Sequence, residues 1–156
     1  MGYGFYLERR AELPHPPIPI SVFLILEAAL RTAWSRIVAG KRAGFNLESA
    51  KEDEITQRLY ETLYDDVFSK GIVKGFSHEI FTTMTRESKL RNYNGTVLDK
   101  MPDLLVGLID RPCVYKPSQD WIFIECKPVD ASHSVGVHYC KKGLMRFIKG
   151  DYAWAM

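Results

Sequence analysis

Asp103, Glu125 and Lys127 are the residues of this 156-residue chain whose types and spacing could do chemistry. Asp103 follows Pro102 at the head of an apolar run, LLVGLI. Glu125-Cys126-Lys127 closes a second run, WIFI, and Glu125 stands 22 positions after Asp103. If both runs are buried strands, these charges are partly desolvated. Burying a carboxylate or an ammonium without a partner is costly. Two carboxylates held side by side repel, and one tends to stay protonated. A divalent cation removes the conflict, because Mg²⁺ takes one or two protein carboxylates and completes its shell with water and phosphate oxygens. Two plainer arrangements compete: Glu125 and Lys127 could form a strand-end ion pair, and Asp103 could cap a turn.

The surrounding pattern predicts what must position these groups. Strands are expected at about 103–110 and 120–127, with Pro112, Pro117 and Ser118 between them. The link is too short for a crossover helix, so the strands should pair antiparallel and bring Asp103 beside Glu125. Trp121, Phe123, Glu125 and Lys127 share one face of the second strand, while Ile122, Ile124 and Cys126 share the other. Both faces are apolar, which predicts a central strand covered on both sides. An earlier strand is expected at 76–84, carrying Glu79, followed by a polar stretch with the turn signal NYNG.

Upstream, Ile55, Leu59, Leu63 and Val67 recur at helical spacing and predict a helix over 47–69, with Gly71 just past its end. Glu52 lies on the face of that stripe and Glu54 nearly opposite it. Glu52 is therefore the acid expected beside the sheet, although Ser49 and Glu52 also have the spacing of a capping box. A further helix is expected over 21–39, capped by Ser21 and stopped by Gly40, and apolar nearly all the way round. A last helix is expected over 138–149. Its Cys140, Leu144, Phe147 and Ile148 make an apolar face, and Lys142, Arg146 and Lys149 a basic stripe. The layout is α/β in the α+β sense: helix, helix, three strands, helix.

Pro102-Asp103 followed by Glu125-Cys126-Lys127 resembles the signature of the PD-(D/E)XK nuclease superfamily, the restriction-endonuclease-like enzymes. The resemblance covers about residues 47–150. It implies a core with a central mixed sheet flanked by helices, to which 1–46 adds an N-terminal extension with one buried helix. It also implies a metal-dependent nuclease, acting most naturally on DNA. Asp103, Glu125 and Glu52 would hold Mg²⁺ or Mn²⁺, and Lys127 would stand near the attacking water and the scissile phosphate. Similar nucleases carry an acid three residues before the first apolar position of the upstream helix, which fits Glu52 and Ile55. Lys142, Arg146 and Lys149 would contact substrate phosphates, and RESKLR at 86–91 is a second basic stretch. The alternative is an inactive nucleic-acid-binding or regulatory module on the same fold. The family's final strand would have barely room to begin before Met156, so another segment, a continuation of the chain or a second copy is expected to complete the sheet.

Composition limits the other classes. Hydrophobic residues are 46%, enough for the core of one compact domain, and the net charge of +2 is too small for coating nucleic acid by charge alone. Cys113, Cys126 and Cys140 are an odd set without paired spacing, as expected for reduced thiols in the cytoplasm. The first ten residues lack the pattern of a secretory signal. The run from Ile18 to Leu30 is too short to cross a membrane. His133, His138 and Cys140 match no standard zinc spacing, and no serine sits in a Gly-x-Ser-x-Gly turn.

Overall fold

The computed structural model of the protein describes residues 18–40, 44–88, 101–110, 121–128, 130 and 132–145. Helix α1 spans Ile20–Val38 and contains no glycine or proline to interrupt it. Leu26, Ala29, Ala33 and Ile37 form its buried stripe. Pro19, not Ser21, occupies the cap position, and its carbonyl accepts the Val22 N–H at 3.0 Å. Proline already holds an extended entry to the helix, so the serine falls inside the first turn. Gly40 ends the helix in the left-handed region, at φ 64°, as the sequence predicts. A helix that is apolar nearly all the way round is expected to pack on two sides. Among the described residues only one side is covered, and Ile20, Leu24, Trp34 and Val38 remain exposed.

Helix α2, Glu52–Glu61, runs directly into a π-helical stretch, Thr62–Phe68. The wider winding shows in the i→i+5 bond from the Ser69 N–H to the Tyr64 carbonyl at 3.0 Å, and Gly71, at φ 59°, closes the run with the Ile72 N–H on the Val67 carbonyl at 3.0 Å. Leu63, Val67 and Phe68 from this stretch meet Leu26, Ala29 and Ala33 of α1 in one apolar cluster. Each fully buried Leu, Val or Phe contributes about 1.5–3 kcal/mol relative to exposure. Phe68, Phe76 and Phe81 stack edge to face with centroids 5.1 and 5.0 Å apart, joining the helix to the sheet.

The sheet orders its strands β1 (Phe81–Arg86), β2 (Leu104–Leu108) and β3 (Trp121–Ile124), antiparallel throughout. It is therefore not a mixed sheet among the described residues. The first strand starts later than its apolar pattern suggests. Residues 77–80 turn instead, and the Phe81 N–H closes onto the Ser77 carbonyl at 2.9 Å. Glu79 consequently sits in an exposed turn. The central strand is β2, buried along its whole length, while β3 lies at the edge of the described sheet. Gly107 makes the pairing possible: a Cβ there would collide with the Thr82 hydroxyl and stand 3.1 Å from the Trp121 ring. A second π-helical segment, Val135–Leu144, stands where the expected final helix starts and begins three residues earlier. Its Leu144 is exposed rather than part of a buried face. Arg146, Phe147, Ile148 and Lys149 lie outside the described residues, as does NYNG. No helix among the described residues is long and apolar enough to cross a membrane.

Candidate active site at the strand ends

The pairing of β2 with β3 sets Leu104 opposite Ile124. The residues just outside this pair, Asp103 and Glu125, therefore fall together at one rim of the sheet. Asp103 Oδ2 accepts the Cys126 backbone N–H at 2.6 Å. Glu87, at φ 51° in the left-handed region, turns the chain off β1 and donates its N–H to the Asp103 carbonyl at 3.4 Å. Asp103 is thus held from both sides, its carboxylate by the chain after β3 and its carbonyl by the chain after β1.

Lys127 lies between two carboxylates. Its Nζ stands 3.0 Å from Glu125 Oε1 and 3.4 Å from Glu52 Oε1. Exposure grades across the cluster: the Glu125 side chain is 4% exposed, Lys127 18% and Glu52 48%. Glu52 reaches the cluster because α2 is docked on the sheet. Arg86 of β1 donates to Gln57 Oε1 at 2.7 Å, and the Tyr60 hydroxyl donates to the Met84 carbonyl at 3.5 Å. The helix start is secured by Glu54, whose Oε2 accepts the Lys51 N–H at 2.8 Å. The capping role considered for Glu52 therefore belongs to Glu54, and Glu52 meets Lys127 instead.

Among the described residues, the electrostatics follow from three acids in the neighbourhood of one base. Burial pushes the Asp103 carboxyl above its ordinary pKa, and the charges of Glu125 and Glu52 push the same way. The Cys126 N–H and Lys127 oppose this without overcoming it. Partial burial pulls the Lys127 ammonium down. Its bond to Glu125 and the charges of Glu125, Asp103 and Glu52 outweigh that, so its pKa lies above the usual lysine value. Cys126 is pushed up to about 12 by burial and then by Asp103, which keeps the thiol neutral and unreactive.

The donor set suits a hard cation. Asp103 and Glu125 could supply the two carboxylates that Mg²⁺ or Mn²⁺ accepts from a protein, and such an ion would neutralise the surplus of acids found there among the described residues. Among the described residues no three His, Cys, Asp or Glu side chains converge as a complete metal-binding group. The remaining positions would fall to water and substrate, the usual condition of a Mg²⁺ site.

A cleft of about 450 Å³ opens beside this cluster, lined by Glu52, Lys127, His133, His138, Lys141 and Lys142. Of the three basic residues expected to bind phosphate, Lys142 is placed at the cleft, while Arg146 and Lys149 lie outside the described residues. Arg86 of the second basic stretch is engaged with Gln57, Glu87 and Asp53. Sequence reasoning missed Lys141, and it weighed His133 and His138 only as zinc ligands. Asp130 accepts from His133 Nδ1 at 2.9 Å, and the two imidazoles pack edge to face at 4.8 Å. It missed Thr56 too, whose buried hydroxyl hydrogen-bonds the Cys126 thiol. No family model, curated protein or solved structure matches this chain.

Proposed function

We propose that the protein is a metal-dependent nuclease that hydrolyses phosphodiester bonds, in DNA above all, and that it works in the cytoplasm. The observation that carries this reading is the gathering of Asp103, Glu125 and Glu52 around Lys127, from segments far apart in sequence. The PD-(D/E)XK-like spacing of Asp103, Glu125 and Lys127 supports it. Asp103 and Glu125 would hold Mg²⁺ or Mn²⁺, which when bound supplies Lewis-acid polarisation of a phosphoryl oxygen and a more acidic water.

The chain's own residues do the rest. Lys127 offers a positive charge to the scissile phosphate or the attacking water, held in place by Glu125 and Glu52. Its raised pKa keeps it charged at neutral pH. Glu52, the most exposed of the three acids, orients water at the mouth of the cleft. Lys141, Lys142, His133 and His138 supply donors for the neighbouring phosphates. The nearly closed Glu125 side chain excludes bulk water from one side of the site.

A second reading is a nucleic-acid-binding module without chemistry. The Glu125–Lys127–Glu52 contacts favour it, because they already compensate the lysine without any ion. A cleavage assay separates the two on supercoiled, linear, branched and single-stranded substrates, with and without Mg²⁺ or Mn²⁺. The nuclease reading expects divalent-dependent cleavage that Lys127→Ala abolishes. Binding without cleavage on every substrate would leave the binding module.

A further inference from the structure

We propose that α1 pairs with α1 of a second copy of this chain, antiparallel about a twofold axis. Ile20, Leu24, Trp34 and Val38 are large apolar residues left exposed on one helix, the least exposed being Trp34 at 42%. Glu27 and Arg31 are exposed between them. At about 100° per residue, all six fall within a sector of roughly 80°, away from the buried stripe of Leu26, Ala29, Ala33 and Ile37.

The order of these residues identifies the occupant. The stripe reads Ile20, Leu24, Glu27, Arg31, Trp34, Val38, and every pair is symmetric about position 29. Ile20 and Val38 lie equally far from it, as do Leu24 and Trp34, and Glu27 and Arg31. An antiparallel copy therefore sets Leu24 against the other chain's tryptophan. It sets Glu27 against the other chain's arginine, twice over. A parallel pair would place Glu27 against its own copy. Self-complementarity of this kind is what an isologous interface requires.

The polar residues beside the stripe raise no objection. The Thr32 hydroxyl donates to the Ala28 carbonyl at 2.7 Å and the Ser35 hydroxyl to the Arg31 carbonyl at 2.8 Å, so covering them strands no donor. Glu27 and Arg31 of one chain stand 3.7 Å apart and highly exposed, a weak contact that pairing across the axis would shield from water. One helix pair gives an interface at the small end of the specific range, so a reversible dimer is expected.

Sedimentation of the full chain from about 1 to 500 µM, a range that brackets small interfaces, tests this. Wild type should show a concentration-dependent monomer–dimer equilibrium. Glu27→Arg alone and Arg31→Glu alone should each raise the dissociation constant about tenfold or more, with helicity by circular dichroism unchanged. An equimolar mixture of these two variants should dimerise again. In the mixed pair the introduced arginine meets the introduced glutamate, and native Glu27 meets native Arg31. A wild type that stays monomeric, as it would if the same chain covered the stripe, overturns the proposal. So do single reversals without effect, or a mixture that does not recover.

Discussion

Two part-buried ion clusters in this molecule solve the same problem differently. Near the end of the π-helical stretch that follows α2, Asp66 meets Lys70 at 2.7 Å, four residues along one helical run. Acid and base are both supplied locally, and the lysine side chain is well exposed. At the sheet rim, Asp103, Glu125 and Glu52 gather around Lys127 from α2 and from the ends of two strands. Among the described residues two acids contact one base there, and a third, Asp103, stands close enough to feel both acids and is held in a site that raises its pKa. The first arrangement is what folding alone requires of a buried carboxylate. Among the described residues the second keeps more acids than bases, which a purely structural site would do better without.

The difference should be largest in activity. Asp103→Ala is expected to lower cleavage about 100-fold or more, the scale of losing one catalytic group. Asp66→Ala should leave the rate per folded molecule unchanged. Rates measured on both variants at matched folded concentration check this. Equal losses would erase the distinction between the two clusters.

Stability should show the reverse order. Asp66→Ala removes a charge-assisted bond at a half-exposed pair and should cost about 1 kcal/mol, read from urea denaturation. Glu54→Ala removes the acceptor of the Lys51 N–H at the start of α2 and should cost roughly 0.5–1 kcal/mol. Its activity should survive, whereas Glu52→Gln should lose activity with little change in stability. That contrast sharpens which acid of the helix belongs to the site.

The subtlest effect is in pH dependence. Asp103 keeps its proton to higher pH when folded than the ordinary value of 3.8. Its contribution to stability is therefore present below about pH 3.8 and is lost as pH rises through the raised folded value. In metal-free buffer Asp103→Asn should be more stable than wild type at neutral pH, and the gap should vanish in acid. Paired unfolding curves across that range read the sign directly.

Much of the rim was legible in the sequence. Apolar runs bounded by Pro102-Asp103 and by Glu125-Cys126-Lys127 fix an antiparallel pair whose ends must coincide. The alternation of Glu52 with the Ile55 stripe put it on the inward side of its helix. Other features depend on tertiary context. The start of β1 gave way to a turn at Ser77 because Phe76 is taken up by the aromatic cluster rather than the sheet. The helix expected from 47 begins at Glu52, with Lys51 rather than Ser49 at its cap, which exchanged the roles open to Glu52 and Glu54. Periodicity could not show that β2 rather than β3 would be central, since both runs are apolar on both faces. Nor could it foresee π-helical winding, which shifts side chains off the 100° spacing used to place them.

The central claim is that the excess charge at the rim is a cation site, and thermal unfolding with and without Mg²⁺ or Mn²⁺ tests it most directly. Wild type should gain stability with metal concentration by linkage. Asp103→Asn and Glu125→Gln should lose that gain, while Asp66→Asn keeps it. A wild type indifferent to metal, or an equal gain in the Asp103→Asn and Glu125→Gln chains, would contradict it.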